Sequence, residues 1–143
     1  MNAQSTGGTD NIFLKIINKD IPSHAVYEND HVYAFLDTRP VHHGHTLVVP
    51  KKKYRNILDI PEGVWVEVAK AVRIIARAVK EAVRADGVNI IMNNESAAHQ
   101  VVFHAHVHIV PRFADDTFRL TLPQGEYGEG EANAVAERIT QLL

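Results

Sequence analysis

Residues 101–111, VVFHAHVHIVP, constrain this chain more than any other stretch, because strict alternation of histidine with apolar residues suits a β-strand and little else. The pattern predicts a strand from Val101 to Val110, stopped by Pro111. On such a strand Phe103, Ala105, Val107 and Ile109 turn to the core. His104, His106 and His108 turn to the other face, about 6.6 Å apart at a rise of about 3.3 Å per residue. Three histidines in a row on one face are costly, since each ring carries a donor and an acceptor that need partners when buried. The face therefore reads as a site.

A chain of 143 residues is the usual size of one domain, and 45% hydrophobic with 22% charged residues is ordinary for a globular fold. Net charge is -2, which removes the basic field that carries non-specific nucleic-acid binding. Lys51, Lys52, Lys53 and Arg55 form one local basic cluster, read first as a solvated turn after a strand and second as an attractor of anionic ligands. The absence of cysteine excludes disulfides, thiolate metal sites and cysteine nucleophiles. Residues 1–10, MNAQSTGGTD, lack a basic start and an apolar run, and no segment approaches the roughly 20 apolar residues of a membrane span. These features predict a cytoplasmic protein with a mobile tail over residues 1–10 and one domain over residues 11–143.

Elsewhere the periodicity switches between 3.6 and 2. Ile12, Phe13, Ile16 and Ile17 predict a short helix over residues 11–18 capped by Asp10. Strands at 26–28 and 32–36 form a hairpin about Asn29-Asp30, and residues 37–44 form a loop before a strand at 45–50. His42, His43 and His45 lie in or beside that loop. Polar residues recurring every three or four positions from Glu62 to Arg84 predict one long helix, closed by Asp86-Gly87. A strand at 88–92, a polar loop at 93–99 and a closing helix over residues 131–143 complete an α+β architecture: an antiparallel sheet with one long helix packed on it and short N- and C-terminal helices.

The histidine row supports two chemistries. Imidazoles at i and i+2 can converge on a metal ion, although the row has no neighbouring carboxylate in sequence. Alternatively, a neutral imidazole nitrogen attacks phosphorus and its neighbours bind phosphate oxygens. His106, flanked on both sides, is then the nucleophile. His108 would hold an oxygen or supply a proton, and His104 would anchor the strand or fix a tautomer through its main-chain carbonyl. Taken alone, Asp37 can also be read as a turn residue, Phe13, Ile16, Ile21 and Phe35 are more often plain core, and Asn93-Asn94 can be a turn.

Together these residues resemble the histidine triad (HIT) family. HAHVHIV at 104–110 resembles its signature, residues 12–50 its N-terminal half, and residues 93–112 its catalytic half, about two-thirds of the chain. The resemblance implies an HIT-like fold and hydrolysis of purine nucleoside monophosphate derivatives, such as adenosine phosphoramidates, through a nucleotidyl-histidine on His106. Alternatives within the resemblance are a dinucleoside polyphosphate hydrolase and a nucleotide-binding sensor with little turnover. It further implies that His104 and His108 assist, that Asp37 binds ribose, and that Phe13, Ile16, Ile21, Phe35 and Leu36 form the base pocket. Asn93 would contact phosphate, with Gln100 preceding the triad. No metal or cofactor, nucleic acid or membrane is implied; the partners are a purine nucleotide of AMP or GMP type and a second copy in a homodimer.

Departures from the family pattern bear on the substrate. His99 stands where many members have glycine, and Val101 where many have serine or threonine, so both join the candidate nucleotide contacts with an altered character. Many bacterial members carry Cys-x-x-Cys around the first phenylalanine, holding zinc with two histidines. Asn11 and Leu14 occupy those places here, leaving His45 and His104 free for hydrogen bonding. A histidine at 108 rather than glutamine argues against the nucleotidyl-transferase branch. The N-terminal half is similar to Hint-like and general bacterial hydrolases more than to diadenosine polyphosphate hydrolases.

Overall fold

A computed structural model describes residues 11–143. The expected tail at 1–10 and the cap at Asp10 lie outside the described residues. Helix α1 (Ile12–Ile17) is capped instead by Asn11, whose Oδ1 accepts from Leu14 N at 2.8 Å. Strands β1 (Ala25–Glu28), β2 (Val32–Leu36) and β3 (Thr46–Pro50) precede the long helix α2 (Glu62–Ala82), and β4 (Gly87–Ile91), β5 (Val107–Arg112) and α3 (Glu131–Gln141) follow. The five strands form one sheet, ordered β1-β2-β3-β5-β4, antiparallel at every pairing. This is the expected α+β architecture.

Strand alternation divides the apolar residues between the two faces of the sheet. Val32, Ala34, Val48, Val107 and Ile109 pack with Val68, Ala71, Val72, Ile75 and Val79 of α2, which recur at helical spacing. On the opposite face Tyr33, Phe35, Leu47 and Val49 pack with Phe13 and Ile16 of α1. Because β2 alternates, Leu36 joins Val32 and Ala34 on the α2 face, where it lines an apolar cavity of about 450 Å³ with Val26, Ile74 and Val83.

Three expectations need correction. The strand begins at Val107, not Val101, and Pro111 lies inside it opposite Val88. Pairing with β3 ends at Ile109, so beyond it β5 has a neighbour only on the β4 side, where a proline nitrogen facing the open side breaks no ladder bond. The long helix closes at Arg84 (φ 54°), not at Gly87, which starts β4. Ala85 N donates to Lys80 O and Arg84 N to Glu81 O, a Schellman closure formed without glycine. Helix α3 forms where the pattern put it, yet none of its residues is buried, and Ile139 is 55% exposed. It is not packed on the sheet.

Candidate active site

The histidines reach one face of the sheet, on the α1 side, by two different means. His108 sits in β5 opposite Leu47 and Ile91. His104 and His106 precede the strand, in a segment held by Ala105 N to Tyr54 O and by the His104 ring rather than by ladder bonds. Phe103 is not core: it is half-buried with the Arg55 guanidinium 4.3 Å above its ring.

Each ring is fixed in one tautomer, because His104, His106 and His45 each meet a group that can act in only one sense and His45 passes that constraint to His108. His104 Nε2 donates to Pro50 O at 2.8 Å, so its Nδ1 accepts, from Asn11 Nδ2 at 3.2 Å. His106 Nδ1 donates to the His104 carbonyl at 2.7 Å, which leaves its Nε2 lone pair unprotonated. Val41 N donates to His45 Nδ1 at 3.1 Å, so His45 Nε2 carries the proton that is given to His108 Nδ1 at 2.9 Å. His108 Nε2 is therefore a donor. The row thus presents a nucleophilic nitrogen on His106 beside an N–H on His108, with the two rings 5.1 Å apart.

All four rings are held neutral at pH 7, chiefly by burial. Burial lowers the His104 pKa to about 4 against the raising effect of the Pro50 carbonyl, with the charges of His106 and Lys53 adding to the depression. Burial, His106 and His45 bring His108 to about 4 against Asp37. His106 is lowered by burial, opposed by its bond to His104 O and by Asp37, and His45 is lowered by burial against Asp37.

Asp37 leaves β2 at the open end of this row. Its Oδ1 accepts from Arg39 N at 2.8 Å, a turn contact, while Oδ2 lies 3.8 Å from His45 Nε2. Phe13 stands edge-on to His106 at 5.0 Å and to Phe35 at 5.7 Å between centroids. Ile16 is buried and Ile21 half-buried against the same cluster. The structure thus gathers Phe13, Ile16, Ile21, Phe35, Asp37, His106 and His108 on one side of the sheet. Asn93 is half-buried just after β4 and makes no hydrogen bond to another described residue.

The structure places the remaining expected contact residues apart from this cluster. Leu36 belongs to the α2 face and cannot share a pocket with Phe35. Gln100 is buried and saturated: Oε1 accepts from Asn56 Nδ2 and Glu95 N, and Nε2 donates to Arg55 O and Val102 O. It is a strut of the loop, with no side-chain group left for a ligand. His99 (φ 68°) and Val101, 84% exposed, stand on the outer surface of that loop. His45 does not join Asn11 and His104, since both its nitrogens are engaged by Val41 and His108.

A metal ion fits the donor set poorly. Asp37, His45 and His108 bring one ligand atom each within 4.8 Å of one another. A metal-bound histidine donates its other ring N–H outward, whereas the other nitrogen of His45 already faces the N–H of Val41.

Three residues central to this geometry escape the sequence reading. Asn11 was read only as a replaced cysteine, His45 only as a freed histidine, and Glu95 not at all. Glu95, at φ 74°, takes Arg55 in a two-pronged ion pair and Asn56 in a hydrogen bond, which hold its carboxyl down at about 2. The local signal was the pairing of two histidine-rich stretches, 42–45 and 104–108, which lead into β3 and β5, strands whose adjacency no pattern reveals.

Fold and site define a class: an α+β protein with an antiparallel sheet that presents a row of tautomer-fixed histidines beside a packed aromatic cluster. The HIT domain family matches residues 18–115, and the chain belongs to that family. The crystal structure of a Streptococcus mutans UA159 protein superposes with a TM-score of 0.89 at 44% identity, covering 96% of this chain and 88% of that one. An adenylylsulfatase of Arabidopsis thaliana is 40% identical over 76% of this chain and 55% of its own length. The adenosine 5'-monophosphoramidase of Saccharomyces cerevisiae is 38% identical over 78% and 68%. Among the described residues no helix is long and apolar enough to cross a membrane.

Proposed function

We propose that the protein releases a purine nucleoside monophosphate from a derivative such as an adenosine phosphoramidate, by way of a nucleotidyl-His106 intermediate. The observation that carries this reading is the 2.7 Å bond from His106 Nδ1 to the His104 carbonyl, which leaves Nε2 as a neutral, unprotonated nitrogen in a buried site. Nε2 attacks the α-phosphorus, a P–N bond to His106 forms, and the bond to the leaving group breaks as that group takes the His108 Nε2 proton. Water then attacks phosphorus, His106 leaves, and the proton lost by water returns to His108 Nε2.

His108 Nε2 supports this chemistry as a standing hydrogen-bond donor to phosphate or to the leaving atom. Its proton passes to the leaving group and is regained from the attacking water, so no relay through His45 is needed. Asp37 Oδ2 offers an acceptor for ribose hydroxyls, Phe13, Ile16, Ile21 and Phe35 an apolar slot for the base, and Asn93 a polar group for phosphate. Similarity to the Arabidopsis adenylylsulfatase and the yeast monophosphoramidase supports an adenylyl derivative as substrate. A homodimer is supported by the apolar residues that α2 leaves exposed, Val66 at 42% and Ile74 at 45%. Cytoplasmic placement rests on composition.

The test is single-turnover reaction with a radiolabelled adenosine phosphoramidate. Wild type should carry nucleotide on His106, while His106→Ala should neither be labelled nor turn over; full activity in that variant would overturn the assignment. A second reading, a nucleotide sensor with little turnover, is favoured by Val101, which brings no hydroxyl to the loop before the triad. Tight AMP binding by calorimetry without release from phosphoramidates or dinucleoside polyphosphates would select it.

A further inference from the structure

Asn11 joins two elements that the reaction requires to stay in register. Its Oδ1 caps α1 through Leu14 N at 2.8 Å, and this fixes which way the amide faces: Nδ2 points to His104 Nδ1 at 3.2 Å. Asn11 is 5% exposed and His104 fully buried, so neither group can exchange its partner for water without opening the packing. Beyond His104 the chain of contacts continues through its carbonyl to His106 Nδ1, and from α1 the Phe13 ring abuts His106. One side chain therefore ties both the ring that lies against His106 and the carbonyl that sets its tautomer.

We propose that Asn11 is a positioning residue for His106, acting as an obligatory donor that keeps His104 in its neutral Nε2–H form. A donor is required at that place. With Nε2 committed to Pro50 O, His104 Nδ1 presents a lone pair, and only an N–H or O–H can meet it. A carboxylate of the same size could still cap α1 but would confront that lone pair with another acceptor. The ring would then take up a second proton. Its carbonyl, and with it the His106 ring, would shift to suit a charged neighbour.

This inference rests on His106 as nucleophile, and the experiment separates the two ideas. Asn11→Asp preserves the cap and reverses the polarity toward His104; Asn11→Ser also caps but is too short to reach the ring. Long-range proton–nitrogen spectra should show wild-type His104 at pH 7 as a single neutral Nε2–H tautomer. Asn11→Asp should show it doubly protonated. In both variants His106 should lose its single Nδ1–H form, and kcat should fall about tenfold or more with KM little changed. The thermal midpoint should stay close to wild type in Asn11→Asp. A folded Asn11→Asp or Asn11→Ser protein with wild-type nitrogen spectra, or with wild-type kcat, would overturn the proposal. If wild type itself has no turnover, the nucleophile reading fails while the nitrogen spectra still decide the role of Asn11.

Discussion

His45 Nε2 donates to His108 Nδ1 across 2.9 Å, joining the strand β3 entrance to the strand that carries the triad. The direction of that bond is set one step away, by the Val41 N–H on the other side of the His45 ring. A backbone amide in a loop thereby decides that His108 offers an N–H to the site.

Replacing His45 by alanine removes the donor that selects this tautomer. His108 can then rotate or protonate the wrong nitrogen, so kcat is expected to fall by about tenfold to a hundredfold with KM less affected. His45→Asn, which keeps an amide donor, should recover part of the loss. Steady-state kinetics of the two variants measure this, and equal, wild-type kcat in both would remove His45 from the mechanism.

Gln100→Ala is expected to act on stability. Its amide satisfies four groups of the 55–56 and 95–102 segments. Truncation strands several buried partners, at a cost of about 2–3 kcal/mol. Urea unfolding should show the loss, and substrate KM should move little in the surviving folded protein.

Gly44 precedes His45 at φ 100°, and a Cβ there would lie 2.9 Å from Val83 Cγ1 of the segment ending α2. Gly44→Ala therefore combines left-handed strain with a clash, costing about 1–3 kcal/mol. Loss of turnover should accompany the lower thermal midpoint, because the residue displaced first is His45.

Stability should fall on mild acidification, earlier than carboxylates alone would cause. His104 and His108 have folded pKa values of about 4 against the ordinary 6.5. Between those values the unfolded chain binds protons that the folded chain refuses, so stability rises with pH from about 4 to 6.5 and levels off above. Glu95, held at about 2 against 4.5, adds a loss as pH falls through that lower window. Urea midpoints measured from pH 8 to 4 should begin to drop near pH 6.5. A midpoint flat down to pH 5 would contradict the neutral, buried state of the two rings.

Periodicity in the chain was enough for the hairpin, for α2 and for α1 within a residue or two, because amphipathic spacing is a local property. The expectation that His104, His106 and His108 share one face is met, but strand alternation accounts only for His108, since His104 and His106 precede β5. Periodicity misjudged where the ladder begins, since 102–104 are bends and pairing starts only at Val107, and it took Leu36 with Phe35 although alternation itself separates them. The positive-φ residues Arg84 and Glu95 gave no glycine signal. Gln100 looked like a ligand contact because its partners, Asn56 and Glu95, are distant or unmarked in sequence.

The sequence by itself determined that a row of histidines faces one side of an antiparallel sheet beside aromatic residues, for period and composition point that way. Only the tertiary structure decided what each ring can do. A tautomer depends on whether the group opposite is a donor or an acceptor, and for these rings those groups are His104 O, Pro50 O, Asn11 and Val41, several of them brought in from remote parts of the chain.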